Sequence, residues 1–417
     1  MQAVLDDSLQ LSQPHTIQEL GLSFGMVLDL ILKHAFFEGT STLSRLAERS
    51  RLSPTIMHAM YRHLHKEQLC DTRAMVENDY EISLTSRGRA LAEVAIRKCQ
   101  YAGPAPVPLA AYRQTVSRQA LKLDLTAEDL RRELNDLVIS GEAIKELGTA
   151  LVTGGAILLY GSTGNGKTSI AERLPRLFTD RIHIPYAVEV AGEIITVFDP
   201  LLHHSGDDSD TAVEAGDPRW VWCRRPMVKV GGEMRVDMLD TRLDEVTRIS
   251  VAPLQMKANN GILLIDDFGR QGITPRQILN RWIVPLDRRV DILSLWSGVS
   301  FEIPFEVLVV FATNLPLSDL AEDAFMRRLK NKIKVDGVSE DLFRVIIHRV
   351  CDKAGLTCPP GMDDYMLSEC LKHSGLLRAC FPQDLVGILR GTAAFERREP
   401  VFSQAHLDQA LKVYFVH

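Results

Sequence analysis

Residues Gly161-Ser-Thr-Gly-Asn-Gly-Lys167-Thr168 fit the spacing G-x-x-x-x-G-K-[ST] and directly follow a short apolar run, Ala156-Ile-Leu-Leu-Tyr160. A run that short and unbroken reads as a strand buried on both faces of a parallel sheet. Glycines at these positions let the backbone fold into a nest of N–H donors that cradles phosphates. Lys167 brings a point charge to the outer phosphates, and the Thr168 hydroxyl suits Mg2+. The spacing predicts a helix over Lys167 to Leu177, which completes the strand–loop–helix unit the motif requires.

Working outward, two more apolar runs read as buried strands, Gly261-Ile-Leu-Leu-Ile265 and Val307-Leu-Val-Val-Phe-Ala312. The first ends in paired acids. Asp266 would hold a metal shell, and Asp267 would orient and polarise an attacking water. The second continues into Thr313 and Asn314, whose amide either bonds the water or γ-phosphate or caps the turn before Leu315-Pro316. Arg327 and Arg328 follow on a helix, either as a solvated face or as arginine fingers toward a neighbouring subunit. Two hairpins are predicted, Val188 to Val197 turning at Ala191-Gly192 and Val290 to Ile303 turning at Ser297-Gly298. Beyond residue 338 the pattern is helical throughout: Ser339 to Lys353, Asp363 to His373, Pro382 to Phe395 and Ser403 to Tyr414. Ser339 and Ser403 read as N-caps, and Gly355 ends the first helix.

The ordered set Gly161–Thr168, Asp266-Asp267, Asn314 and Arg327-Arg328, followed by a helical tail, resembles an AAA+ ATPase over about 125–417. Ala258-Asn-Asn-Gly, Asp266-Asp-Phe-Gly-Arg270, Arg224-Arg-Pro226, Gly231-Gly-Glu233 and the hairpin 290–303 are similar to the MoxR and magnesium-chelatase branch, which carries a helix-2 insert and a pre-sensor hairpin. The resemblance implies an α/β fold: a three-layer parallel sheet domain with a C-terminal helical lid. It implies ATP and Mg2+ as ligands, hydrolysis of ATP to ADP and phosphate, and a homo-oligomeric ring, usually a hexamer. Walker A would be Gly161, Ser162, Thr163, Gly164, Asn165, Gly166, Lys167 and Thr168, extended by Ser169. Walker B would be Asp266 and Asp267, with Thr168 and Asp266 on the metal. Asp267 and Asn314 would be catalytic, with Arg328, or Arg327 as the alternate, completing the next subunit's site. Two positions depart from the family. Asp267 stands where Glu is preferred. Gln383 fills the sensor-2 slot and brings no charge to the γ-phosphate; Arg378 or Arg390 is left to substitute.

Upstream, Tyr101-Ala-Gly-Pro-Ala-Pro-Val-Pro108 reads as a semi-rigid polyproline spacer. The division expected is 1–100, a winged helix-turn-helix domain; 101–124, a Pro-rich linker; 125–338, the nucleotide-binding domain with an insertion about 185–257; and 339–417, the lid. In the first part Ser53 caps a helix from Pro54 to Lys66 whose Ile56, Met60 and Leu64 share a face. Two short strands and a helix after Thr85 follow. Residues 21–100 carry eleven Lys and Arg against nine Asp and Glu, a net +2. His58, Arg62, His63, His65, Lys66, Arg73, Arg87 and Arg89 would contact DNA through residues 40–90, or the module docks protein. In the insertion, Trp220-Val-Trp222 either grips a polymer or packs inside. The stretch 205–211 reads as an acidic exposed loop.

The chain has 417 residues and a formal net charge of −6, which excludes a polycationic nucleic-acid coat. Its seven cysteines are scattered and never C-x-x-C, which excludes a zinc ribbon and fits reduced thiols in a cytoplasmic protein. No apolar run reaches the ~18 residues of a membrane span. The leading expectation is an ATP-driven remodeller of a protein complex. A DNA-acting AAA+ regulator or replication or recombination factor, and a slowly hydrolysing nucleotide-dependent scaffold, stand as alternatives.

Overall fold

The computed structural model describes residues 11–205, 216–320 and 326–415. The acidic loop predicted over 205–211 and the start of the arginine-bearing helix, 322–325, lie outside the described residues, Ser205 excepted.

The first part of the chain runs α1 (Phe24–Glu38), β1 (Thr40–Thr42), α2 (Leu43–Ser50), α3 (Pro54–Lys66), β2 (Cys70–Val76), β3 (Asp79–Leu84) and α4 (Ser86–Lys98). The strands form one antiparallel sheet in the order β1-β3-β2. Ser53 caps α3 through the Ile56 N–H, with Pro54 at the first helical position. At Gly88 a Cβ would fall 2.0 Å from the Leu69 carbonyl oxygen, so α4 can lie against the start of β2 only with glycine there.

Residues 101–124 do not behave as a spacer. Tyr101, Ala105 and Val107 are buried. Val107 and Pro108 form β4, which pairs parallel with β7 (Ala187–Val190) of the insertion. The next helix, α5 (Leu109–Arg118), is fastened by buried amides. Asn259 Nδ2 donates to the Tyr112 hydroxyl at 2.8 Å, and Asn260 Nδ2 donates to the Val116 carbonyl at 2.8 Å. The prolines suit an edge strand that needs few N–H donors, and the alternate apolar residues found a core to enter.

Much of the predicted insertion folds into β structure of its own, but Met227–Val230, inside the predicted 185–257, is a strand of the central parallel sheet. With β6 (Arg181–Pro185), β8 (Glu193–Thr196), β9 (Trp220–Arg224), β11 (Arg242–Leu243) and β12 (Ser250–Val251), the insertion makes a mixed sheet β11-β12-β8-β7-β4 and a separate pair β6-β9. Its hairpin β7–β8 turns at Ala191 and Gly192, both with positive φ. Ala187 and Ile194 from this hairpin belong to the core of the N-terminal helices, so the two parts share one apolar interior. A buried ion pair locks the junction. Arg219 Nη2 lies 2.8 Å from Asp217 Oδ2, each side chain 5% exposed, and Arg219 Nη1 donates to the Pro106 carbonyl at 3.1 Å and to the Leu20 carbonyl at 3.4 Å.

Five further strands build an all-parallel sheet in the order β10-β13-β16-β5-β17, from β5 (Ile157–Tyr160), β10 (Met227–Val230), β13 (Ile262–Ile265), β16 (Leu308–Thr313) and β17 (Asn331–Lys334). Its three central strands coincide with the three apolar runs. The phosphate-loop helix, α7 (Lys167–Ala171), is shorter than predicted and gives way to a 3-10 turn at Leu174–Leu177. Pro175 lacks the N–H that would extend the α-helical ladder. The helix before β5 is α6 (Gly141–Thr153), and the hairpin β14 (Val290–Ser294) to β15 (Ser300–Pro304) stands where predicted. Four helices close the chain: α8 (Glu340–Ala354), α9 (Met362–Ser374), α10 (Phe381–Phe395) and α11 (Gln404–Tyr414), around their own core. Ser339 caps α8 and Gly355 ends it. Ser403 is not a side-chain cap; its hydroxyl meets His406 Nδ1 at 3.0 Å.

Arg219→Ala should destabilise the protein by about 3–5 kcal/mol, because Asp217 would remain buried without its cation. The expected result is a lower thermal midpoint and rapid proteolytic cleavage within 101–108; an unchanged midpoint would show that the pair is idle.

Candidate functional site

The order of the parallel sheet sets the position of the site. β5 is flanked by β16, later in the chain, and by β17, the last strand, so the connections depart to opposite sides at its carboxyl end. Such a switch point leaves a crevice in α/β sheets. The loop 161–166 leaves β5 there. Gly161, Gly164 and Gly166 all have positive φ, at 137°, 85° and 87°. A Cβ on Gly161 would fall 2.4 Å from the Val335 carbonyl oxygen, and one on Gly164 would fall 2.5 Å from Cys380 Sγ. Glycine is therefore required at both by conformation and by space.

Lys167 is buried, and its ammonium donates to the Gly161 and Ser162 carbonyls, both at 2.8 Å. Burial pulls its pKa below the usual lysine value, against the fields of Asp267, Asp266 and Asp336. The Thr168 hydroxyl donates to Asp266 Oδ1 at 2.8 Å, and the Asp267 N–H donates to the same oxygen at 3.1 Å. Asp267 holds a left-handed backbone, φ 48°, and its carbonyl accepts from Gln271 Nε2. Left-handed aspartate costs free energy that the surrounding bonds must offset. Asn314 Nδ2 donates to Thr163 Oγ1 at 3.1 Å, while its Oδ1 is buried without a hydrogen-bond partner.

These side chains line one cavity of about 950 Å³ between the sheet and the lid. Ser169 lines it too and gives its carbonyl to Arg173. The lid contributes one face of α10, where Gln383, Val386, Gly387 and Arg390 recur at helical spacing. The lid also grips the loop directly. The Cys380 N–H donates to the Gly164 carbonyl at 2.9 Å and the Ala379 N–H to Asn165 Oδ1 at 3.3 Å. Asn165 in turn donates to Ser162 Oγ at 2.7 Å.

Of the two arginines left open as substitutes for sensor 2, Arg390 lines the cavity. Arg378 does not; its guanidinium sits over the Phe381 ring, 5.7 Å from the centroid. Arg327 is exposed and Arg328 half-buried, and neither lines the cavity. Arg328 Nε pairs with Asp287 of its own chain at 2.9 Å. Trp220 is buried at 7% exposure, and Trp222 packs on His183 with ring centroids 4.4 Å apart, so this pair packs inside the insertion instead of gripping a polymer.

Four parts of the site escaped the sequence reading. The segment Leu137–Ser140 walls the far end of the cavity with Val138 and Ile139, and Arg349 of α8 holds it by donating to the Asn135 and Leu137 carbonyls. Asp336 accepts from Ser162 Oγ at 2.9 Å. Lys229 pairs with Asp266. None of these has a local motif; each arrives by tertiary folding. Asp336 alone had a signal, as an acid just past the strand β17.

A triphosphate nucleotide fits this set. The glycine cradle is formed, Asn314 Oδ1 has an unmet valence beside the nitrogen that bonds Thr163, and Thr168 with Asp266 presents hard oxygen ligands suited to Mg2+. The apolar far end suits a base. The fold is that of a phosphate-loop α/β domain with a helical lid.

A family model described as a domain of unknown function (DUF8689) matches residues 339–413, which is the lid. No curated protein matches. Among solved structures, NtrX from Brucella abortus is similar with a TM-score of 0.38 and 11% identity, over 76% of this chain and 60% of that one. The chain thus spans under two thirds of that relative. RuvB from Thermotoga maritima, as its P216G mutant, is similar with a TM-score of 0.37 and 14% identity, over 69% of this chain and 70% of that one.

Asn165→Ala removes both the donor to Ser162 and the acceptor for Ala379. Calorimetry should show a loss of about 1–3 kcal/mol, with Asn165→Asp, which keeps the acceptor, falling between. Equal midpoints would mean that the lid is held to the loop by other contacts.

Proposed function

We propose that the chain is an ATPase of the AAA+ class that forms a ring, usually of six copies, and couples ATP binding and hydrolysis to remodelling of a protein complex. One observation carries this reading. Thr168 and Asp266, 98 residues apart, share a hydrogen bond at the mouth of a glycine nest that also holds Lys167. Turns with an incidental lysine have no need of that convergence. The strand order supports the reading, as does a helical lid that bonds the loop.

Each residue has a task its geometry suits. Lys167 can turn from two neutral carbonyls to an anion, a stronger partner. Bound Mg2+ would neutralise the phosphate tail and orient it. Asp267 is exposed to the cavity and can accept a proton from water. Asn314 lines the cavity and can turn its amide to hold that water. Gln383 reaches the wall without charge, so closure of the lid is left to Arg390 and to neutral bonds. Arg328 must exchange Asp287 for a neighbouring subunit's nucleotide to act as a finger.

The hairpin β14–β15 supports the MoxR and magnesium-chelatase branch, and it supplies the exposed aromatic that Trp220 and Trp222 do not. Trp296, at its turn, is 73% exposed. We assign it the grip on the client. The wing presents Met75 at 60% exposure, with Val76 beside it, which favours a protein partner for the N-terminal part. One observation favours the DNA-acting alternative. The exposed face of α3, with Thr55, His58, Arg62, His65 and Lys66, holds no acid. Among the described residues no helix is long and apolar enough to cross a membrane.

Purified protein should retain ATP with Mg2+ and release phosphate in steady state. Lys167→Ala should weaken ATP retention by about tenfold or more, and Asp267→Asn should slow phosphate release about a hundredfold. Retention without turnover above the Lys167→Ala background would favour the scaffold alternative; no retention would end the reading.

A further inference from the structure

Asp266 already holds a cation. Lys229 Nζ lies 3.3 Å from Asp266 Oδ2 and 2.7 Å from Glu172 Oε1. The other oxygen of Asp266 is taken by the Thr168 hydroxyl and the Asp267 N–H. The carboxylate that faces the metal position is therefore divided, one oxygen for the loop and one for a lysine.

Strand geometry puts the lysine there. Val228 and Val230 of β10 are buried in the core on one face of the sheet. Alternation sends Lys229 to the other face, where Glu172 caps the end of α7. The Asp266 N–H donates to the Val230 carbonyl at 2.8 Å, which sets the reach from Lys229 to that carboxylate. Lys229 is 44% exposed, so it could have been solvated outward. Packing does not require it between two acids.

We infer that Lys229 is a positioning residue that competes with the divalent metal for Asp266, with Glu172 as the alternate acceptor that draws it away. The inference rests on the nucleotide reading of the site. An ammonium beside a metal-ligating carboxylate lowers the negative potential available to the metal. When Lys229 moves onto Glu172, Asp266 Oδ2 is released to a divalent cation. When Glu172 is neutral, Lys229 stays on Asp266 and the metal is disfavoured. The shorter of the two ion pairs is the one with Glu172, which leaves the site poised to accept metal.

The test is Mn2+ affinity, read by paramagnetic resonance of the free ion, in protein loaded with a slowly hydrolysed ATP analogue. Lys229→Met should bind Mn2+ roughly two- to fivefold more tightly than the parent, the size of effect expected of one half-exposed charge pair. Glu172→Gln should bind it more weakly by a similar factor. In the Lys229→Met background, Glu172→Gln should have little further effect, which a general loss of negative charge would not produce. Analogue retained with equal Mn2+ affinity in parent and Lys229→Met would overturn the role of Lys229 alone. A parent that retains no analogue would overturn the nucleotide reading, and this inference with it.

Discussion

There is no room for a methyl group between Gly161 and the Val335 carbonyl. That close approach is the constraint on which the site depends. It presses the exit of β5 against the exit of β17, so the loop 161–166 starts at a fixed height above the sheet. The loop then rises into a second close approach, at Gly164, where the lid takes over from the sheet. Its backbone is confined from below by Val335 and held from the side by Cys380, while Ala379 holds the Asn165 side chain. A loop held at both ends orders its N–H groups before any anion arrives, which lowers the entropy lost on binding.

Charge completes what geometry begins. Lys167 is surrounded by Asp266, Asp267 and Asp336, and yet its burial dominates and disfavours the cation. Such a lysine gains from an incoming anion more than an exposed one would, because the low local dielectric strengthens the pairing. The carboxylates in turn gain from a divalent cation. The site is thus balanced for a ligand that brings both signs, a polyphosphate with its metal.

Much of this was legible in the sequence, for local reasons. The three buried strands announce themselves as unbroken apolar runs, the hairpins by Ala191-Gly192 and Ser297-Gly298, and the lid helices by period and by the Ser339 cap. The phosphate loop is a contiguous motif, and Asp266 and Asn314 follow β13 and β16, the two strands next along the sheet on one side of β5. What stayed hidden is tertiary. Alternate prolines in 101–108 look the same whether solvated or laid along a sheet edge; only the presence of β7 decides. Trp220 and Trp222 could pack or protrude, and the β6–β9 pair buries the first and packs the second against His183. Ile139 and Asp336 reach the cavity, and Lys229 reaches Asp266, from three separate parts of the chain, and no spacing in the chain records that meeting. Nor does any local pattern record that Ala187 and Ile194 of the insertion sit in the core of the N-terminal helices, which joins the two parts through a shared apolar interior instead of a tether.

Such a body should respond to nucleotide as a unit. Hydrogen–deuterium exchange with and without ATP and Mg2+ reads this most directly. If the glycine nest and the lid embrace one ligand, peptides covering 161–168 and 378–390 should gain protection together, on the same nucleotide titration. Protection of neither, or of the lid while the nest exchanges as before, would contradict the account.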